Sequence, residues 1–132
     1  MTLIKKRWYL LVIACLINIA AGSIYAWSVF SPAKAAQMSQ ILGSTVTAGE
    51  LSIIFSVANA MCPVTMIFGG LIIDRIGPKL VTIFGGILIA LGLLGAGLST
   101  TITELIFTYG ILFGLGLSLI HISEPTRPIS IS

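Results

Sequence analysis

Four long apolar runs, separated by short polar connections, leave this chain few folds to choose from. They extend from Trp8 to about Phe30, from about Ala48 to Ile73, from Leu80 to about Leu98 and from about Leu105 to Ile122. An α-helix needs ~20 residues to cross the hydrocarbon core of a bilayer, and each run is near that length. A backbone in lipid must satisfy its own hydrogen bonds, and isolated runs of this kind do so only as helices. Only 8% of the chain is charged and 57% is hydrophobic, whereas a soluble domain carries about 25% charged residues. The sequence therefore predicts an all-α membrane protein with four spans.

The few charges orient it. Lys5, Lys6 and Arg7 precede the first run, and Arg75 and Lys79 lie between the second and third. The connections after the first and third runs hold only Lys34 among basic residues. Positive charge collects on the cytoplasmic side, which places the amino terminus and the second connection there. Trp8, Tyr9 and Trp27 stand near the two ends of the first run, where interfacial aromatics gather. A cleaved signal peptide is the competing reading, with Lys5 to Arg7 as its basic region and Ala33-Lys34-Ala35 as its cleavage site. The first run is longer than the ~7–15 apolar residues of such a segment.

Composition also excludes several function classes. The net charge is +3, but there is no basic patch or stripe of the kind a nucleic-acid binder needs. Cys15 and Cys62 lie in separate apolar runs, fit no metal motif and read as small packing residues. His121 is the sole histidine, so no histidine-based nucleophilic or metal site can be assembled around a second one. No metal, no cofactor and no enzymatic activity are expected.

Local signals give detail. Thr47 and Glu50 have capping-box spacing and should start the second helix. Pro63 removes the hydrogen bond to the Asn59 carbonyl and should kink that helix. Gly110 and Gly114 have GxxxG spacing, and Gly22 and Ala26 form a small-xxx-small pair; such pairs let helices approach closely. They serve packing, or a sliding face in a moving protein.

The polar residues inside the spans are few. At 100° per residue, Asn18 and Tyr25 lie on nearly one line of the first helix, flanked by Ala21 and Gly22. That face can line a polar cavity, or Asn18 can bond a neighbouring helix. Trp27 points to roughly the opposite side, toward lipid or another helix. In the second helix, Ser56 and Asn59 share a face, with Thr65 as a third polar candidate. No charged residue lies within a span before Gly116 apart from Glu104, near the start of the fourth. A coupling carboxylate or a substrate-binding arginine is therefore not visible.

The segment GGLIIDRIGPKL, from Gly69 to Leu80, places Asp74, Arg75 and Lys79 in a tight turn between two apolar runs. Gly70, Asp74, Arg75, Gly77 and Lys79 together resemble the loop signature of the major facilitator superfamily of secondary transporters. Residues from about Lys5 to Gly116, with RWYLL, GSIYAWSVF and the Gly-Pro-Lys end of the turn, are most similar to the amino-terminal third of the oxalate/formate antiporter family. The resemblance implies the first four helices of a truncated twelve-helix exchanger of small carboxylates in a bacterial inner membrane. Its halves rock about a midplane site. Its partners would be membrane lipids, a small organic anion and the missing carboxyl-terminal half. Tyr25 matches a family position where an aromatic hydroxyl lines the substrate cavity; Ile24 stands where the family often has a polar residue. Asp74 and Arg75 match a cytoplasmic latch, with Asp74 facing a helix amino terminus and Arg75 and Lys79 in ion pairs or on lipid headgroups.

The last sixteen residues, LSLIHISEPTRPISIS, start at Leu117. The part from Leu117 to Arg127 resembles the translation of a transposase-type sequencing adapter, and the rest follows the adapter's continuation. Residues 1–116 are thus expected to be transporter and 117–132 a non-native tail, which gives His121, Glu124 and Arg127 no role. The competing function is a complete four-helix membrane protein, either a small multidrug exporter or an assembly subunit. Such an exporter wants a carboxylate in its first helix, and Trp8 to Phe30 contains none.

Overall fold

The computed structural model describes the backbone of residues 2–123 and the side chains of residues 6–123; Glu124 and Arg127 lie outside them. Among the described residues, four helices are long and apolar enough to cross a membrane: α1 (Lys6–Leu42), α2 (Ala48–Ile76), α3 (Pro78–Leu98) and α4 (Ile102–Ser123). Among the described residues there is no strand.

α1 is longer than its apolar run. The sequence reading ends it near Phe30, with Lys34 in the connection; the helix instead continues to Leu42, past Pro32. The reason is a second buried stripe. Ser31, Lys34, Ala35 and Met38 are all buried, and their spacing is that of one helix face. Lys34 is only 3% exposed, yet its ammonium is served. It donates to Gln37 Oε1 and to the Gly97 carbonyl at the end of α3, each at 3.1 Å. Gly43 ends α1 in the left-handed region, φ 64°, with its N–H on Ser39 O at 3.1 Å. A 3-10 turn from Ser23 to Ala26 interrupts the α-helical ladder midway.

α2 starts as expected. Thr47 Oγ1 accepts from Glu50 N at 3.3 Å, and Glu50 Oε2 accepts from Thr47 N at 2.9 Å. The helix then runs through Pro63 without interruption to Ile76. Asp74 and Arg75 therefore sit in the last turn of α2, not in a turn between helices. The break is one residue, Gly77, at φ 86° and ψ 152°. Only glycine adopts such a conformation without strain. Pro78 opens α3, where its lacking N–H costs nothing.

α4 is the centre of the bundle and packs against both α2 and α3. Leu105, Tyr109 and Phe113 are buried to 3% exposure or less. Glycines bring the helices together. A Cβ on Gly114 would lie 2.9 Å from the Ala58 carbonyl oxygen of α2, and one on Gly92 would lie 2.7 Å from Phe113 N. The Gly110/Gly114 pair thus packs α4 on α2. Gly22 behaves differently: a Cβ there would meet nothing within 4 Å, so the Gly22/Ala26 pair does not make a close approach at Gly22.

Two features of α4 had escaped the sequence reading. A second capping box starts it, with Glu104 N on Thr101 Oγ1 at 3.3 Å and Thr101 N on Glu104 Oε2 at 3.3 Å. Its middle, Ile106–Phe113, is wound as a π-helix. Buried Trp27 packs its ring 4.6 Å from that of Tyr109 in this segment, tilted by 38°, so of its two expected surroundings it takes a helix.

Candidate functional site

A cleft of about 270 Å³ opens between α1, α2 and α4. α1 gives it Asn18, Ala21, Gly22, Ile24 and Tyr25, and α2 gives Ala58, Asn59 and Cys62. Asn18, Tyr25 and Asn59 are thereby brought to one space. The first two arrive because they are seven residues apart on one helix. Asn59 arrives because Ala58, beside it, is the contact point of Gly114 between α2 and α4.

The polar groups are held mainly by their own helices. Asn18 Nδ2 donates to Ala14 O at 3.0 Å, and Asn59 Nδ2 donates to Phe55 O at 2.9 Å. Each carboxamide is thus fixed in orientation and keeps its oxygen and one N–H for another partner. Pro63 has no N–H to give the Asn59 carbonyl, which therefore lacks its usual helical donor. Tyr25 is 81% exposed. Among the described residues, no Asp, Glu, Lys or Arg lines the space. The cleft can therefore read a small molecule by hydrogen bonding, but it supplies no formal charge of the Asp, Glu, Lys or Arg kind.

The other polar candidates of α2 do not share this role. Ser56 Oγ donates to Ser52 O at 3.2 Å. Thr65 is buried against Ser118 of α4 and also donates to Met61 O at 2.8 Å. Leu117, Ser118 and His121 complete the wall of the cleft from α4. Their stretch is helical and packed up to Ser123, where Thr82 Oγ1 meets Ser123 Oγ at 2.9 Å.

The second set of candidates lies apart from the cleft: Gly70, Asp74, Arg75, Gly77 and Lys79 do not line it. Asp74, Arg75 and Lys79 are exposed around the α2–α3 break. The N-cap residue of α3 is Gly77, which has no side chain to cap the helix. Arg75 in the last turn of α2 suits the negative end of the helix dipole. Among the described residues, no group of three or more His, Cys, Asp or Glu is placed to hold a metal ion.

Comparison with known proteins adds the following. The family model described as Major Facilitator Superfamily matches residues 7–125. YhjX of Escherichia coli strain K12, an uncharacterized MFS-type transporter, is 29% identical over 112 residues, which cover 84% of this chain and 26% of that protein. The chain thus spans about a quarter of the length of that curated relative. No solved structure matches it.

Proposed function

Because the chain belongs to the major facilitator superfamily, we propose that it forms the first four spans of a secondary transporter that exchanges or imports small carboxylates of the oxalate and formate kind. The supporting observation is the convergence of Asn18, Tyr25 and Asn59 on one cleft. Transporters of this architecture bind substrate at the midplane, between halves that rock against each other. The exposed Tyr25 hydroxyl is available to such a substrate. The balancing positive charge comes from the other half. In this reading the protein is an integral membrane transporter rather than an enzyme. It sits in a bacterial inner membrane with its amino terminus in the cytoplasm. Asp74 and Arg75 latch that cytoplasmic face, and the helix amino terminus that receives Asp74 belongs to the second half.

Residues 117–132 are, in the same proposal, adapter-derived, so Ser118 and His121 carry no function although they reach the cleft. Genomic DNA beyond the Gly116 codon tests this: a different continuation that encodes further spans supports it, and the same LSLIHISEPTR reading in the genome contradicts it.

The functional test is counterflow of radiolabelled oxalate and formate into proteoliposomes holding the whole transporter. Exchange is expected, with KM raised about tenfold or more in Tyr25→Phe, as befits one hydrogen bond to a charged group. The 132-residue chain alone is expected to give none. Failure to exchange any small carboxylate, with uptake of some other solute class, would overturn the substrate assignment.

A further inference from the structure

α1 is two pieces of helix joined at the 3-10 turn Ser23–Ala26. Beyond the turn, Trp27, Ser31, Lys34, Ala35 and Met38 are buried, and Lys34 ties this piece to the end of α3. Before the turn, none of residues 6–22 is buried; Ile17 and Ala21 lean on the core, partly buried. Hydroxyls tie the turn to its own backbone: Ser23 Oγ donates to Ala20 O at 2.6 Å, and Ser28 Oγ to Tyr25 O at 3.4 Å. Back-bonds of this kind weaken and bend a helical ladder. Gly22 enters the turn at φ −65° and ψ −13°, an ordinary right-handed conformation, with open space where a Cβ would stand. Neither backbone geometry nor packing asks for glycine there, so what glycine contributes is a weaker helix. A 3-10 stretch in mid-helix is where hinges form.

The turn also stands in the wall of the cleft. Asn18, Ala21 and Gly22 reach the cleft from before it, and Ile24 and Tyr25 from within it. A 3-10 helix has 3.0 residues per turn and rises about 2.0 Å per residue, against 3.6 and 1.5 Å in an α-helix. Rewinding the turn as α-helix therefore rotates residues 6–22 by about 80° relative to Trp27 and shortens α1 by about 2 Å.

We propose that Ser23–Ala26 is a hinge and that residues 6–22 form an arm with two positions. In the 3-10 form, Asn18 lines the cleft with Tyr25 and Asn59. Winding the turn as α-helix swings Asn18 about the α1 axis and remakes the wall that α1 gives the cleft, while the buried second piece stays on its neighbours. The proposal rests on the transporter reading for what the cleft binds. Its test reads the arm without substrate, so the hinge and that reading can fail separately.

The test uses the 132-residue chain in lipid bilayers, with Cys15 and Cys62 replaced by alanine and paired spin labels read by pulsed EPR. Tyr9, Val29 and Leu71 are exposed. Labels at 9 and 71 measure the arm against α2, and labels at 29 and 71 measure the second piece against α2. Gly22→Ala and Ser23→Ala both favour α-helical winding, the first by about fivefold, and the open space at Gly22 admits the methyl group. The 9–71 distance is expected to shift by about 2 Å or more in these variants, with the 29–71 distance unchanged. A 9–71 distance that stays put in both variants overturns the proposal, and so does a 29–71 distance that moves as far. Should the labelled chains not fold, hydrogen exchange of the unlabelled chain decides. Exchange slowed about fivefold in Gly22→Ala, and confined to the amides of Ile24 to Trp27, supports the hinge; no slowing, or equal slowing along the whole arm, refutes it.

Discussion

Gly92→Ala measures how closely α3 and α4 are locked. A Cβ on Gly92 would stand 2.7 Å from Phe113 N, 2.8 Å from Phe113 Cβ and 2.9 Å from Phe113 Cα. Comfortable contact between carbon atoms is about 3.5–4.0 Å, so the two helices must part by up to about 1 Å. Overpacking costs about 1–3 kcal/mol, and a backbone neighbour that cannot rotate away puts this site near the top of that range. Exchanging glycine for alanine within a helix returns about 1 kcal/mol. The net expectation is a loss of about 2 kcal/mol, or about thirtyfold in the folding equilibrium. Gly86, on the same helix, supplies the control, because a Cβ there would meet nothing within 4 Å. Gly86→Ala should be neutral or stabilising by up to about 1 kcal/mol. Both variants are to be unfolded by SDS titration in mixed micelles. Trp27 fluorescence reports the transition, since its ring lies against Tyr109 of α4. Equal stabilities for the two variants, or a gain for Gly92→Ala, would refute the packing argument.

Three further outcomes are expected from the same assay. Lys34→Met keeps the buried stem but removes the donor to the Gly97 carbonyl, and should cost about 1–3 kcal/mol. Gly77→Ala forces a side chain into a backbone at φ 86° and should cost about 1–3 kcal/mol. Thr101→Ala removes the cap of α4 and should cost about 1 kcal/mol; hydrogen exchange should show the loss first at the amides of the initial turn, including that of Glu104.

The four spans were legible because apolar runs of membrane length have one outcome in lipid. The end of α1 was not, since Lys34 read as part of a polar connection. Lys34 is buried, and its ammonium is served by the Gly97 carbonyl, sixty-three residues away. The α2 start followed from Thr47 and Glu50. The same spacing at Thr101 and Glu104 was equally visible and would have placed the α4 start three residues earlier than the apolar run does. The π-helical stretch has no local signature; it arises where Tyr109 and Phe113 pack against Trp27 and Gly92. At the site, Asn18 and Tyr25 shared a face by helical periodicity alone. That Asn59 joins them depends on how α2 sits beside α1, which no single-helix period encodes.

A transporter cavity at this site requires that the face carrying Asn18, Tyr25 and Asn59 meet water although it lies within membrane spans. Apolar positions of the spans such as Ile67 and Leu94 are also exposed, at 73% and 66%, and serve as the apolar reference. Thiol labelling decides this, since a maleimide reacts with the thiolate and a thiolate forms only in contact with water. With Cys15 and Cys62 first replaced by alanine, single cysteines at positions 18, 25, 59, 67 and 94 are to be probed in membrane vesicles with a charged maleimide. Modification is expected at 18, 25 and 59 and none at 67 and 94. Protection at all five positions would contradict such a cavity.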